Sequence, residues 1–350
     1  MKSVKDARIA VYGAGAMGTV LGALLTKGGL QVDLITRNID HVSGLKKDGA
    51  ILLCEGDGMQ ITQPVSALLP EEMQGEYDCI FLMTKQRYNG EILNGLLPFL
   101  AKDGLVCTTQ NGLPEISVAQ IVGKERTYGS ATSFGATFIG DGKVALTSQI
   151  QAMSMEIGGY ENDGAKTAFL AEILSYAGKA TGNESFVTIS ENLSGARWSK
   201  LAINSAFSGL SVITGLTFGE VAKKRKTRKL ALGILRECMS VANGAGVKLA
   251  PMQGRDMQKL FAGKGIFARA FAYMILPYAM RRHKKLVSGM LKDIQKGKKC
   301  EIDFVNGVVS KVGKEIGVPT PLCDKVVEIT HSIENGLYEI DYHNTDFFEC

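Results

Sequence analysis

The chain has 350 residues, long for a single hydrophobic core, so two domains are expected. Its 45% apolar and 21% charged content is that of an ordinary globular protein, and a formal charge of +5 falls short of the concentrated basic footprint of a nucleic-acid binder. Seven cysteines without a C-x-x-C pair and four histidines without ligand spacing give no disulfide framework and no metal site, as in a reducing compartment.

The start, "MKSVKDARIAV", runs into a strand without the pattern of a signal peptide, and the apolar stretches are too short or too interrupted to span a bilayer. A cytoplasmic protein without a transmembrane segment is the expectation. "RIAVY" (8–12) is a continuous apolar run, the pattern of a strand covered on both faces. A helix follows from about Ala16 to Lys27, then strands at "QVDLIT" (31–36), "YDCIFLMT" (77–84) and "GLVCTTQNG" (104–112). "GSATSFGATFIGDGKVAL" (129–146) reads as strands with a turn at Asp141-Gly142. Strands alternating with helices indicate a parallel, doubly wound sheet. From about Thr188 the spacing of apolar residues turns helical, in "SENLSGARWSKLAINSAFSGLSVITG", "RKLALGILRECMSVANGAG", "LVSGMLKDIQKG" and "DFVNGVVSKVGKEIG", with a last helix near 322–335. The expected division is therefore an α/β Rossmann-type domain over 1–187 and an all-α domain over 188–350.

Gly13, Gly15 and Gly18 have the G-x-G-x-x-G spacing of a dinucleotide-binding turn, between a strand and a helix. The first glycine makes the tight turn, the second admits a pyrophosphate to the backbone, and the third packs helix on strand. Ala16 and Met17, between them, belong to the same cofactor-binding turn, where the helix N-terminus favours negative charge. About 20 residues on, an NAD-binding unit would carry an acid for the ribose 2′-hydroxyl. Here the strand runs into Arg37 and Asn38, and a guanidinium suits a 2′-phosphate, which makes NADP(H) the expected cofactor. Gly13, Arg37, Lys85 and Asn111 all follow strands closely, and ligands of such sheets bind beyond the carboxyl ends of the strands.

In the helical half, "ARWSKLAIN" sets Lys200 and Asn204 four apart on one helix face, and "KCEIDFVNG" sets Glu301 near the start of another helix. By composition these are ordinary surface polar residues. The stretches "GAGAMGTVLGALL", "TKQRYN", "QNGLPEI", "YGSATSFGATFIGDGKV", "ARWSKLAINSAFSGLS" and "MLKDIQKGKKCEIDFVNG", in that order and over nearly the whole chain, resemble the ketopantoate reductases (2-dehydropantoate 2-reductases). The resemblance implies a Rossmann domain followed by a helical domain of the 6-phosphogluconate-dehydrogenase-like kind, NADPH in the cleft, and reduction of 2-dehydropantoate to pantoate for pantothenate biosynthesis. It implies Lys200 as the general acid, Glu301 as the active-site glutamate, and Asn204, Ser208 and Ser288 as substrate-binding. Lys85 and Asn111 then lie on the nicotinamide side of the cofactor. A cation aimed at the oxygen on which charge develops fits that chemistry independently.

Three positions depart from the family pattern: Ser208-Gly209 replaces a polar asparagine, Phe218 another, and Gly289 the second serine of an S-S-M-L element. The rival enzyme reading is a paralogue reducing a more apolar 2-oxo acid; the rival outside enzymology is an NADP(H)-sensing module, disfavoured by retention of Lys200 and Glu301. "KKRKTRK" (223–229) reads as a solvated helix face. The apolar, basic-punctuated segment 263–286 admits three readings: an active-site cap, a homodimer surface, or an interfacial membrane helix, with core or dimer packing the default.

Overall fold

The computed structural model describes residues 2–161, 163–252, 254–263 and 265–348. It divides into two compact units, one formed by 1–110 with 114–193, the other by 111–113 with 194–350.

The first unit opens with β1 (Ile9–Tyr12), α1 (Ala16–Lys27), β2 (Val32–Ile35), α2 (Ile39–Asp48), β3 (Ala50–Cys54), β4 (Met59–Gln63), β5 (Ser66–Leu68) and β6 (Tyr77–Leu82). It continues with α3 (Asn89–Leu96), β7 (Leu100–Thr108), α4 (Pro114–Val122), β8 (Thr127–Thr132), β9 (Ala136–Gly140), β10 (Lys143–Leu146), β11 (Met155–Gly159), α5 (Gly164–Thr181) and β12 (Val187–Ile189). Eight strands form one sheet in the order β12-β11-β8-β7-β6-β1-β2-β5. From β5 to β8 every pairing is parallel, and the order is the 3-2-1-4-5-6 of a dinucleotide-binding sheet. All four residues of β1 are buried and β6 is nearly so, which accounts for their unbroken apolar runs. β12 adds to β11 in parallel, so residues 187–189 belong to this sheet, and the passage to the second unit falls at Leu193.

A second sheet, β4-β3-β10-β9, contains the hairpin expected around Asp141-Gly142, while β3 and β4 were not anticipated from the sequence. It joins two hairpins through parallel pairing of β3 with β10, and the second hairpin turns at Asp141-Gly142, where Gly142 has φ +72. α1 packs against this small sheet and against β1 and β2 of the large one. Residues 18–25 of α1 are consequently all buried, including Gly22, where a Cβ would lie 2.7 Å from Leu34. A helix apolar on every side is what such a doubly covered position requires.

The second unit is helical: α6 (Leu193–Ile203), a five-residue π-turn (Asn204–Ser208), α7 (Gly209–Thr214), α8 (Phe218–Lys223), α9 (Arg225–Gly244), α10 (Met257–Phe261), α11 (Ile266–Ala279), α12 (Gly289–Gln295), α13 (Asn306–Ile316) and α14 (Pro321–Glu334). α9 is the central element and packs on α8, α10, α11, α13, α14 and the π-turn. "KKRKTRK" leads into it as expected: Lys223 and Lys224 are exposed, and the helix turns Leu230, Ile234, Leu235, Cys238 and Val241 into the core. No helix among the described residues is long and apolar enough to cross a membrane. The six described cysteines are buried, and none is in a disulfide.

Candidate active site

The glycine turn gives each of its glycines a separate physical reason. Gly13 sits at φ +100, and a Cβ there would lie 2.7 Å from the backbone of Met83 and Thr84, so the end of β1 presses against the end of β6. At Gly18 a Cβ would meet the Gly13 carbonyl oxygen at 2.5 Å, which fixes how closely α1 approaches β1. At Gly15 a Cβ would meet no atom within 4 Å. Protein packing therefore does not demand that glycine, and the open space beside it is where a pyrophosphate would approach the backbone. The Gly13 and Ala14 N–H groups both donate to the Ile35 carbonyl at 2.9 Å, pinning the turn to the end of β2. Gly15 is the N-cap of α1, with no side-chain cap and no acidic residue in the first turn, so the start of the helix is suited to an anion. Ala16 and Met17 are half-buried there. This donor set fits a nicotinamide dinucleotide.

Arg37 lies two residues beyond β2, is 63% exposed, and forms an ion pair of 2.5 Å with Glu91 at the start of α3. Burial raises the Tyr12 pKa, opposed in part by the nearby Arg37 guanidinium. The Asn38 side chain is engaged as the N-cap of α2, accepting from the His41 N–H.

The strand-end loops after β6 and β7 are tied together by a buried amide pair that sequence reasoning did not single out. Asn89 Nδ2 donates to Gln110 Oε1 at 3.1 Å, and Gln110 Nε2 donates back to Asn89 Oδ1 at 2.7 Å. Gln110 Nε2 also reaches the Thr84 carbonyl at 2.8 Å, and Asn89 Nδ2 reaches Ser117 Oγ at 3.0 Å. The pair holds the chain on either side of exposed Lys85, and it fixes Gln110 one residue before exposed Asn111. Both amides stand in the T-K-Q-R-Y-N and Q-N-G stretches of the sequence that carry the family resemblance.

In the second unit, Lys200 occupies the last turn of α6 and is half-buried, as are Asn204 and Ser208. In an α-helix each four-residue step overshoots a full turn by about 40°. The wider π-turn over 204–208 takes back that drift, which keeps the positions 200, 204 and 208 in one stripe. Asn306, fully buried at the start of α13, donates from Nδ2 to the Ser205 carbonyl inside the π-turn at 3.1 Å. Gly209 makes that approach feasible, since a Cβ there would lie 2.7 Å from Asn306 Oδ1. Glu301, half-buried, immediately precedes a single 3-10 turn over Ile302–Phe304. Ser288 is buried; its hydroxyl caps α12 by accepting from the Met290 N–H, and its own N–H faces Ser211 Oγ at 3.4 Å.

Family comparison settles what these pieces belong to. The model described as "Ketopantoate reductase PanE/ApbA" matches residues 9–161, and "Ketopantoate reductase PanE/ApbA C terminal" matches 192–334. The chain belongs to the ketopantoate reductase family. It is similar to the 2-dehydropantoate 2-reductase of Lactococcus lactis, 28% identical over 94% of this chain and 99% of that one. Among solved structures it resembles a D-mandelate dehydrogenase with NADH and anilino(oxo)acetate (TM-score 0.78, 26% identity, 94% and 99% coverage). It equally resembles a PanE/ApbA family ketopantoate reductase from Ralstonia eutropha (TM-score 0.76, 26% identity, 94% and 99% coverage).

Within this family frame the three departures have different physical meanings. Gly209 is required by the Asn306 contact. Phe218 lies in the helical core with its ring 5.7 Å from that of Phe207, so replacing it tests packing before specificity. Gly289 is exposed, and a side chain there would meet nothing within 4 Å. A depression lined by Lys311, Lys314, Thr320 and Asp324, at the α13–α14 turn, includes none of the expected site residues. Among the described residues no three His, Cys, Asp or Glu side chains gather as a metal site would require.

Proposed function

We propose that this member of the ketopantoate reductase family, an oxidoreductase using a nicotinamide dinucleotide, reduces ketopantoate to pantoate with NADPH. The observation that carries the reading is that one chain combines the glycine turn with the Lys200–Asn204–Ser208 stripe on α6 and its π-turn. Gly13, Gly15, Ala16, Met17 and Gly18 would hold the pyrophosphate, Arg37 the 2′-phosphate, and Lys85 and Asn111 the nicotinamide side. When bound, the reduced nicotinamide supplies a hydride to the keto carbon of the acid. Lys200 gives its ammonium proton to the oxygen on which charge develops, which becomes the new hydroxyl. Asn204 and Ser208 orient the acid by hydrogen bonds, Ser288 holds its carboxylate end, and Glu301 fixes the substrate against Lys200.

A second reading, reduction of a more apolar 2-oxo acid, draws support from the solved relative that carries anilino(oxo)acetate and from the missing side chain at Gly289. A site built to hydrogen-bond a hydroxyl rejects analogues without it, and loss of polar lining relaxes that rejection. The deciding experiment is kcat/KM for ketopantoate, 2-oxoisovalerate and an aryl 2-oxo acid, with Lys200→Ala alongside. Lys200→Ala is expected to lower kcat by about 10²–10⁴ while the dinucleotide still binds. Preference for the aryl acid moves the assignment to the second reading. Turnover of none of the three, with dinucleotide binding intact, favours the sensing module.

A further inference from the structure

α11 turns an apolar face to solvent that none of the described residues covers. Phe267, Phe271, Met274 and Tyr278 recur at the spacing of one helical stripe and are 90%, 47%, 69% and 61% exposed; Ile266 stands beside them at 84%. Ala272, Leu276 and Met280, on the opposite side, are the ones buried in the core. Contiguous exposed apolar surface of this kind marks an interaction site.

Charge decides what kind. Between residues 257 and 292 there are eight Lys or Arg and no Asp or Glu, in a chain whose whole surplus is five. Arg269 on α11 is exposed, and Arg281, Lys284 and Lys285 are exposed just beyond it, next to exposed Leu286. Beneath the helix, Arg228 lies over the Tyr273 ring at 4.5 Å. Arg236 has a buried Nη2 without a hydrogen-bond partner among the described residues, and its pKa is lowered by burial and then by Arg269. Positive charge thus accumulates around the apolar stripe from both sides. A two-fold contact with a second copy would set this face against itself, bringing together two clusters in which Lys and Arg outnumber the neighbouring exposed acid, Glu220, beside Lys284.

We propose that α11 with the segment 281–286 is a docking surface for an anionic phospholipid bilayer. Phe267, Phe271, Met274 and Ile266 enter the acyl boundary, Tyr278 sits at the interface, and Arg269, Arg281, Lys284 and Lys285 pair with lipid phosphates. At 14 residues α11 is about 21 Å long, enough to lie in the interface and too short to span it. The catalytic assignment does not enter this argument.

The test is co-sedimentation of the full chain with phosphatidylcholine vesicles, with and without phosphatidylglycerol, at low and high salt. Anionic vesicles are expected to bind at least tenfold more protein, and high salt to reverse most of it. The triple variant Phe267→Ser/Phe271→Ser/Met274→Ser, whose positions face solvent, is expected to lose at least tenfold in binding while keeping its far-UV spectrum and its turnover in solution. Absence of binding to anionic vesicles overturns the proposal. So does binding that the triple variant retains, which would indicate a purely electrostatic contact suited to an acidic protein. Sedimentation equilibrium without lipid covers the remaining case: a dimer that the triple variant dissociates would assign the face to a second copy.

Discussion

Two backbone devices place the candidate functional groups of this protein, and they are built in opposite ways. The glycine turn is local: Gly13, Gly15 and Gly18 lie within six residues, and the constraints on Gly13 and Gly18 come from the adjoining strands β1 and β6 and from each other, while Gly15 faces open space. The π-turn is non-local. Nothing in "NSAFS" compels it, and it is held by Asn306, which follows by a hundred residues and reaches the Ser205 carbonyl across a gap that only Gly209 leaves open. A device made of glycines tolerates change around it and fails when a glycine is replaced. A device made by a distant hydrogen bond fails when its remote partner goes, even though that partner need touch no ligand.

The sharpest way to break the comparison is therefore Asn306→Ala. A buried carbonyl left unpaired costs about 1–3 kcal/mol, enough to let the π-turn relax toward a regular helix and swing Ser208 out of register with Lys200 and Asn204. If the lost alignment is realised in the transition state, kcat/KM falls by about 10–100-fold, from the same energy range. Dinucleotide affinity, which the proposed reading assigns to the glycine turn, should be unchanged. A variant with a lower melting temperature but normal kcat/KM would give Asn306 a structural role alone. Gly209→Ala, which pushes on Asn306 Oδ1 from the other side, should reproduce the kinetic defect.

Legibility followed the same division. The Rossmann-type sheet was readable because its strands are buried on both faces and its polar turnings fall at strand ends, so Gly13, Arg37, Lys85 and Asn111 could be named from strand boundaries alone. Lys200 and Asn204 were readable as a helix pair. The β3–β4 hairpin of the small sheet was missed because β3 and β4 are only partly buried, and their residues alternate too weakly between "AILLC" and "MQITQ" to announce a hairpin. The π-turn and the Asn89–Gln110 pair were missed for a different reason: each is a contact between segments distant in the chain, which no local period encodes. Phe218 was read as pocket surface because a family position was carried over without its burial.

On the cofactor side the expected effects are smaller. Arg37→Ala should cost about one to two orders of magnitude in NADPH preference over NADH, the worth of a charge-assisted phosphate contact of about 1.5–3 kcal/mol. The Arg37–Glu91 pair sharpens this. Both partners are more than 60% exposed, and such surface pairs contribute about 0–1 kcal/mol. A 2′-phosphate must displace Glu91 or share Arg37 with it, so Glu91→Gln should raise NADPH affinity by up to about fivefold and leave NADH nearly untouched. An equal response of both cofactors to either substitution would separate Arg37 from cofactor choice.

The smallest effect concerns what braces the glycine turn from behind. His41 is fully buried, its Nδ1 accepts from the Gly142 N–H at 3.0 Å, and its Nε2 lies 2.9 Å from Thr19 Oγ1. The Thr19 hydroxyl in turn reaches the Ala14 carbonyl inside the turn. With Nδ1 committed as an acceptor, the ring proton sits on Nε2, and a second proton would have to face an N–H. Burial lowers the His41 pKa, opposed in part by the Asp141 carboxylate and the Gly140 carbonyl. The sign follows: the unfolded chain takes up this proton near pH 6.5, the folded one only at lower pH. The bracing is fully present above about pH 6.5 and is lost as pH falls through that value toward the depressed folded one. Thermal melts from pH 8 to 5 should show the wild-type melting temperature declining more steeply below about pH 6.5 than that of His41→Gln, a difference that cancels the other titrating groups. Parallel curves for the two proteins would mean that His41 is protonated without cost, and that the small sheet does not brace the turn through it.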